Sequence, residues 1–188
     1  QKLADPDINK TLSAVIHTLI VILAIPIKLY RLDSVPYGAH NDEIVKGMQV
    51  IKFFNGGQFQ PFYIANKEFL FFYMLIPFIK FFGVSILGLR MLPFCCGLVT
   101  VVFTYLLFKR LWGQTTAFCS AAFLAVGLWP NQSCHICERL NSAPMFTAAA
   151  LFFTLAAIQT RRVLFFVLAG LTAGAGLWTF PTFRLIPW

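Results

Sequence analysis

The chain has 188 residues, 59% of them hydrophobic and only 12% charged, with a mean hydropathy of +0.75. Soluble domains are about 45–50% apolar and about 25% charged, so the composition excludes one and predicts an all-α, polytopic membrane protein. The formal charge of +8 does not mark a nucleic-acid binder, because Lys and Arg stand at the ends of apolar runs, where membrane proteins keep them.

The chain begins at Gln1 rather than Met and ends at Trp188 as another apolar run starts, so part of a longer module is expected. We read 1–188 as a single transmembrane domain. A first span is predicted over residues 12–30, long enough to cross a hydrocarbon core of about 30 Å. Lys2 and Lys10 precede it and place the N-terminus in the cytoplasm. His17, inside this span, is expected to face inward and be satisfied by hydrogen bonds.

Residues 31–68 form a polar external loop. Two of the seven acidic side chains in the chain, Asp42 and Glu43, stand side by side here, after a Pro36-Tyr37-Gly38 turn. Asn41 or Asp42 is predicted to cap a helix whose apolar face runs through Ile44, Met48, Ile51 and Phe54. On local sequence alone, Asp42 and Glu43 could simply favour the positive end of that helix.

Residues 69–79 are apolar but extend only about 17 Å as a helix, and Pro77 is expected to interrupt them. They read as an interfacial or re-entrant helix. Further spans are predicted over 86–108, 112–129, 143–158 and 163–178, making about five in all. With five, Lys2, Lys10, Lys109, Arg110, Arg161 and Arg162 all fall on the cytoplasmic side. A crossing by 69–79 would put the last four outside. The loops carrying Asp42, residues 133–139 and Arg184 therefore share the external face.

Three polar groups converge there: the carboxylates Asp42, Glu43 and Glu68, the mixed loop His135, Glu138 and Arg139, and Arg184. A carboxylate at a membrane surface can take a proton from an incoming hydroxyl or amine. Arginines at the same depth can hold a phosphate through charge-assisted bonds. Cys134-His135-Ile136-Cys137 could be a disulfide, a redox pair or half of a zinc site, or have only a packing role. Cys95, Cys96 and Cys119 lie in apolar runs and are expected to pack as small hydrophobes. Asn131-Gln132-Ser133 reads as an N-glycosylation acceptor.

The run from Arg31 through Val35-Pro36-Tyr37-Gly38-Ala39-His40-Asn41-Asp42-Glu43 resembles the first external loop of GT-C fold membrane glycosyltransferases. The groups it resembles are the dolichyl-phosphate-mannose protein mannosyltransferases and the lipid A aminoarabinose transferases. Further phrases match in order: Lys67-Glu68-Phe69-Leu70, Phe82-Gly83, Leu89-Arg90-Met91-Leu92-Pro93, Trp129-Pro130, Arg139, and Leu177-Trp178-Thr179-Phe180-Pro181-Thr182-Phe183-Arg184. The resemblance implies the N-terminal part of such a module, in a bacterial plasma membrane with an external active face or in the endoplasmic reticulum.

It also implies a polyprenyl-phosphate-sugar donor and a protein, lipid or glycan acceptor, with no nucleic acid. Asp42 would be the base or a metal-site residue, with Glu43 its partner and Glu68 a second carboxylate. Arg139, Arg184 and His135 would face the donor phosphate, and a divalent cation is left open. Two departures stand out: Phe69 where many relatives have Pro, and His135 where they often have a first arginine. The alternatives from other classes are a multi-pass transporter or channel, and a membrane thiol oxidoreductase using Cys134 and Cys137.

Overall fold

The computed structural model describes residues 6–56 and 69–179, and among these it is helical with no strand. The helices are α1 (Pro6–Leu29), α2 (Asn41–Phe54), α3 (Phe69–Phe82), α4 (Ile86–Trp112), α5 (Gln114–Val126), α6 (Leu128–Cys134), α7 (Ser142–Thr160) and α8 (Val163–Leu177). A single 3₁₀ turn, Arg139–Asn141, precedes α7. Helix α4 is the centre of the bundle and packs against α1, α3, α5, α6 and α7, while α8 folds back on α7.

Two apolar cores flank α4. One joins Val50 of α2 and Phe71, Phe72, Leu75 and Ile79 of α3 to Leu89, Leu92 and Cys96 of α4. The other joins Ile20 and Ala24 of α1 to Val101 and Tyr105 of α4 and to Ala117, Ala121 and Ala125 of α5. Those three alanines recur every fourth residue, so α5 offers a smooth face against which neighbouring backbones can approach closely.

Among the described residues, two stretches are long and apolar enough to cross a membrane: Ile86–Trp112, with 27 residues, and Arg139–Thr160, with 22. At 1.5 Å per residue they reach about 40 and 33 Å. They coincide with the predicted spans over 86–108 and 143–158. The span predicted over 112–129 is instead broken in two. Gly127 leaves the helical region (ψ 136°) between α5 and α6, and α5 alone, with 13 residues, is about 20 Å long.

Helix α3 departs from expectation in the other direction, running unbroken through Pro77 for 14 residues. An interior proline costs about 3 kcal/mol. Burying Phe71, Phe72, Leu75 and Ile79, at roughly 1.5–3 kcal/mol for each large apolar side chain, outweighs that.

Helix α2 forms where predicted but presents the opposite face. Ile44, Met48, Ile51 and Phe54 point outward, and Glu43, Lys46, Gly47 and Val50 are buried. In a membrane protein the outer face can be apolar, and buried charges persist where they find partners. Its N-cap is His40 rather than Asn41 or Asp42, and the Glu43 carboxylate accepts the His40 N–H at 2.9 Å.

Helices α4 and α7 run parallel. Near their C-termini the Arg110 guanidinium donates to Gln159 Oε1 at 3.2 Å and lies over the Phe152 ring. The basic pairs Lys109-Arg110 and Arg161-Arg162 thus lie towards one end of the bundle. The loops carrying Asp42 and Glu138 lie at the other, where Arg90 stands in the first turns of α4 and Ser142 begins α7.

Candidate active site

The loop after α1 is organised by Arg90, which is fully buried five residues into α4. Its Nη1 donates to the carbonyls of Leu32, Val35 and Pro36 (3.1, 3.1 and 3.3 Å), and its Nη2 to those of Pro36 and Gly38 (3.3 and 2.9 Å). Nε and Nη2 also reach Glu43 Oε1 and Oε2 at 3.1 and 3.2 Å, a two-pronged ion pair with no solvent exposure on either side. Gly38 turns the chain with φ +82°, a conformation that an L side chain would strain.

Glu43 also accepts the backbone N–H of Cys137 at 2.7 Å. Burial pushes its carboxyl up, but the Arg90 guanidinium and the N–H groups of His40 and Cys137 more than offset this and hold it below the usual carboxylate value. One helical turn on, the Lys46 ammonium donates to the Cys137 carbonyl at 2.7 Å and lies over the Phe71 ring. The Cys137 peptide unit therefore joins the loop between α6 and α7 to α2. Asn141 braces that loop internally, donating to the carbonyls of Ser133 and Ile136 at 2.6 and 2.8 Å.

The expected partnership of Asp42 and Glu43 is divided by this arrangement. Glu43 turns inward and holds the two loops together, whereas Asp42 is exposed. Beside Asp42 stand His40 and Glu138, with one ligand atom from each residue lying within 4.8 Å of the other two. An imidazole nitrogen and two carboxylate oxygens form a donor set that suits a borderline divalent cation such as zinc.

His135 is buried, with Nδ1 2.8 Å from the Asn131 carbonyl and Nε2 3.1 Å from that of Tyr30. Both ring nitrogens are thus turned to main-chain acceptors. Arg139 opens the 3₁₀ turn and is half-buried. Glu68, Arg184 and the side chain of His17 lie outside the described residues. The structure thus brings Asp42 together with Glu138 and Glu43 with Arg90, while His135 packs between the first span and the loop.

The cysteines are all free thiols. Cys134 and Cys137 are buried; burial raises both, and takes Cys137 up to about 12. Cys96 is buried beside them, Cys95 is half-buried, and Cys119 is exposed on α5 rather than packed. Asn131 does not present a free acceptor amide. Its Nδ2 donates to the Ala125 and Gly127 carbonyls at 3.1 and 2.9 Å, and its Oδ1 accepts from Lys28 at 3.0 Å.

Sequence reasoning gave no role to Arg90 beyond a matching phrase, and none to Lys28 or Lys46. Arg90 did carry a signal: an arginine inside a long apolar run needs a carboxylate, and few exist in this chain.

Fold and composition together define an integral, all-helical membrane protein whose polar loops meet at one end of the bundle. Residues 66–185 match the model of the dolichyl-phosphate-mannose-protein mannosyltransferase family, and the chain belongs to that family. Family membership implies a glycosyltransferase that draws on a lipid-linked sugar. The match includes Glu68, Arg139 and Arg184 and begins after Asp42 and Glu43. No curated protein and no solved structure matches the chain.

Proposed function

We propose that the protein transfers a sugar from a polyprenyl-phosphate donor to an acceptor on the external or lumenal face, with Asp42 as the general base. The observation that carries this reading is the placement of Asp42. It is exposed at the start of α2, next to Glu138 of the second loop, and its neighbour Glu43 is clamped by Arg90. A base must meet an incoming acceptor, and its backbone must not drift. Asp42 would deprotonate the acceptor as it displaces the lipid phosphate at the anomeric carbon. Arg139 and Arg184 would stabilise the departing phosphate, and Glu68 would supply a second carboxylate.

The reading includes one transmembrane domain with five spans, α3 lying in the interface, and both loops on the external side. Its test is sugar transfer from a polyprenyl-phosphate-sugar by the intact protein and by Asp42→Asn. The variant should keep donor binding and lose turnover by about two orders of magnitude or more, the scale of general-base removal. Near-normal turnover would reject the assignment.

The juxtaposition of His40, Asp42 and Glu138 favours a second reading of the same carboxylate, as ligand to a divalent cation. Such an ion would supply electrostatic stabilisation of the lipid phosphate. The burial of Cys134 and Cys137 and the raised thiol of Cys137 speak against thiol redox chemistry.

A further inference from the structure

Asp42 and Lys46 stand one turn apart on α2 and take opposite positions: Asp42 is exposed, whereas Lys46 is 9% exposed. A lysine on an outer helix ordinarily extends its stem and leaves its ammonium in water. Lys46 turns inward instead. Among the described residues its ammonium has one hydrogen bond, donated to the Cys137 carbonyl at 2.7 Å, and it lies 5.7 Å from the centre of the Phe71 ring. Burying a cation for one carbonyl and one ring is costly. The carboxylate one turn back, Glu43, is taken up by Arg90 and by the N–H groups of His40 and Cys137.

What the ammonium controls is one peptide plane. The Cys137 N–H that Glu43 accepts belongs to the peptide before Cys137. The carbonyl that Lys46 holds belongs to the peptide after it, which leads into Glu138. That peptide is planar, and its other polar atom is engaged as well, since the Glu138 N–H donates to the Ile136 carbonyl at 2.8 Å. With both ends of the plane held, the direction in which Glu138 leaves the main chain is set from α2. The Glu138 carboxylate then stands beside Asp42 and His40, one ligand atom of each lying within 4.8 Å of the other two. One helix thus carries Asp42 and, four residues on, the ammonium that places the neighbour of Asp42.

We infer that Lys46 is a positioning residue for sugar transfer: through the Cys137 carbonyl it sets the spacing between the Glu138 and Asp42 carboxylates, so that an acceptor approaching Asp42 meets both. The inference rests on the reading of Asp42 as the base. It gives Lys46 a task separate from that of Arg90, which ties α2 to the central helix but makes no bond to the loop that carries Glu138.

Lys46→Met keeps the stem and removes the ammonium. In the intact protein it should lower kcat for transfer about ten- to a hundredfold, the scale of a displacement of about 1 Å at a reacting centre, with KM for the donor little changed. Glu138→Gln should lower kcat in the parent and add little in the Lys46→Met background, where the carboxylate is already misplaced. Cross-linking reads the spacing itself. Asp42→Cys and Glu138→Cys, introduced together in a cysteine-free background, should form a disulfide readily under mild oxidation, and adding Lys46→Met should slow it severalfold, because the bond tolerates little change in separation. If Lys46→Met does not fold, Lys46→Gln, one bond shorter and uncharged, must show the same two effects. Lys46→Arg, which keeps the charge and the donors, should recover most of both. Parent-like kcat or parent-like cross-linking in folded Lys46→Met or Lys46→Gln would overturn the inference, as would a loss confined to the yield of folded protein. The cross-link needs no catalysis, so failure of the base reading, seen as near-normal turnover of Asp42→Asn, is told apart from failure of this one.

Discussion

Glu43 and Arg90, 47 residues apart in sequence, meet at 3.1 Å (Oε1 to Nε) and 3.2 Å (Oε2 to Nη2), with both side chains fully buried. The pair holds the polar loop that starts α2 against the first turns of the central helix. Removing one partner leaves the other charge buried and alone, at a cost of about 3–5 kcal/mol. Arg90→Met should therefore lower thermal stability sharply in detergent. The double variant Glu43→Gln/Arg90→Met should recover part of the loss, and strict additivity of the two single changes would show that the pair is not coupled.

The same contact sets a pH dependence. The Glu43 carboxyl lies below its ordinary value of 4.5 in the folded protein, so its contribution is fully present above that pH. It is lost as the pH falls through the lower, folded value. A melting series through the acid range should show destabilisation below about pH 4.5. Glu43→Gln should flatten this limb; an unchanged acid limb would assign it to other groups.

The two readings of Asp42 separate on its neighbours. If His40, Asp42 and Glu138 hold a cation, His40→Ala and Glu138→Gln should lower activity at limiting metal, and excess metal should restore part of it. If Asp42 acts as base alone, a chelator should leave the parent unaffected. In that case Glu138→Gln should change turnover less than the hundredfold or so expected of Asp42→Asn.

Much of α2 was legible in the sequence, and its orientation was not. Position and length follow from the Pro36–Gly38 turn and the apolar spacing. The usual rule that apolar residues face the core, however, put Ile44, Met48, Ile51 and Phe54 inside, whereas Lys46 and Glu43 are. The rule assumes water outside, and a bilayer removes that assumption. The meeting of Asp42 with Glu138 could not be read from spacing because it joins loops 96 residues apart. Arg90 was hidden by the habit of assigning membrane cations to helix ends, and nothing in the sequence set Lys28 apart from the other cations at such ends.

Cys134 and Cys137 should be dispensable as thiols. The useful groups of Cys137 are its N–H and C=O, which serine keeps, so Cys134→Ser/Cys137→Ser should retain activity within a few-fold. With its thiol raised to about 12, Cys137 should resist alkylation at neutral pH until the protein is unfolded. Rapid modification of Cys137 itself in the native protein, or complete loss of activity in a well-expressed double serine variant, would return weight to redox or metal chemistry.

The five-span arrangement predicts that Asn55, after α2, and Gly83, between α3 and α4, both face outward. Single cysteines introduced there in a cysteine-free background should react with an impermeant maleimide from the external side. Labelling of Gly83→Cys only from the cytoplasm would make α3 a crossing and separate Asp42 from the loops of the later helices.

The junction at Cys137 carries a consequence for how this region tolerates change. The main chain supplies both bonds there, one donated to Glu43 and one accepted from Lys46. The chemical instruction is thus written at positions 43 and 46, and position 137 only has to be narrow enough to fit. A saturation library would accept small side chains at 137 and refuse proline, which lacks the N–H, while treating 43, 46 and 90 as one unit. A rearrangement confined to the second loop would pull on the first without changing any side chain in it.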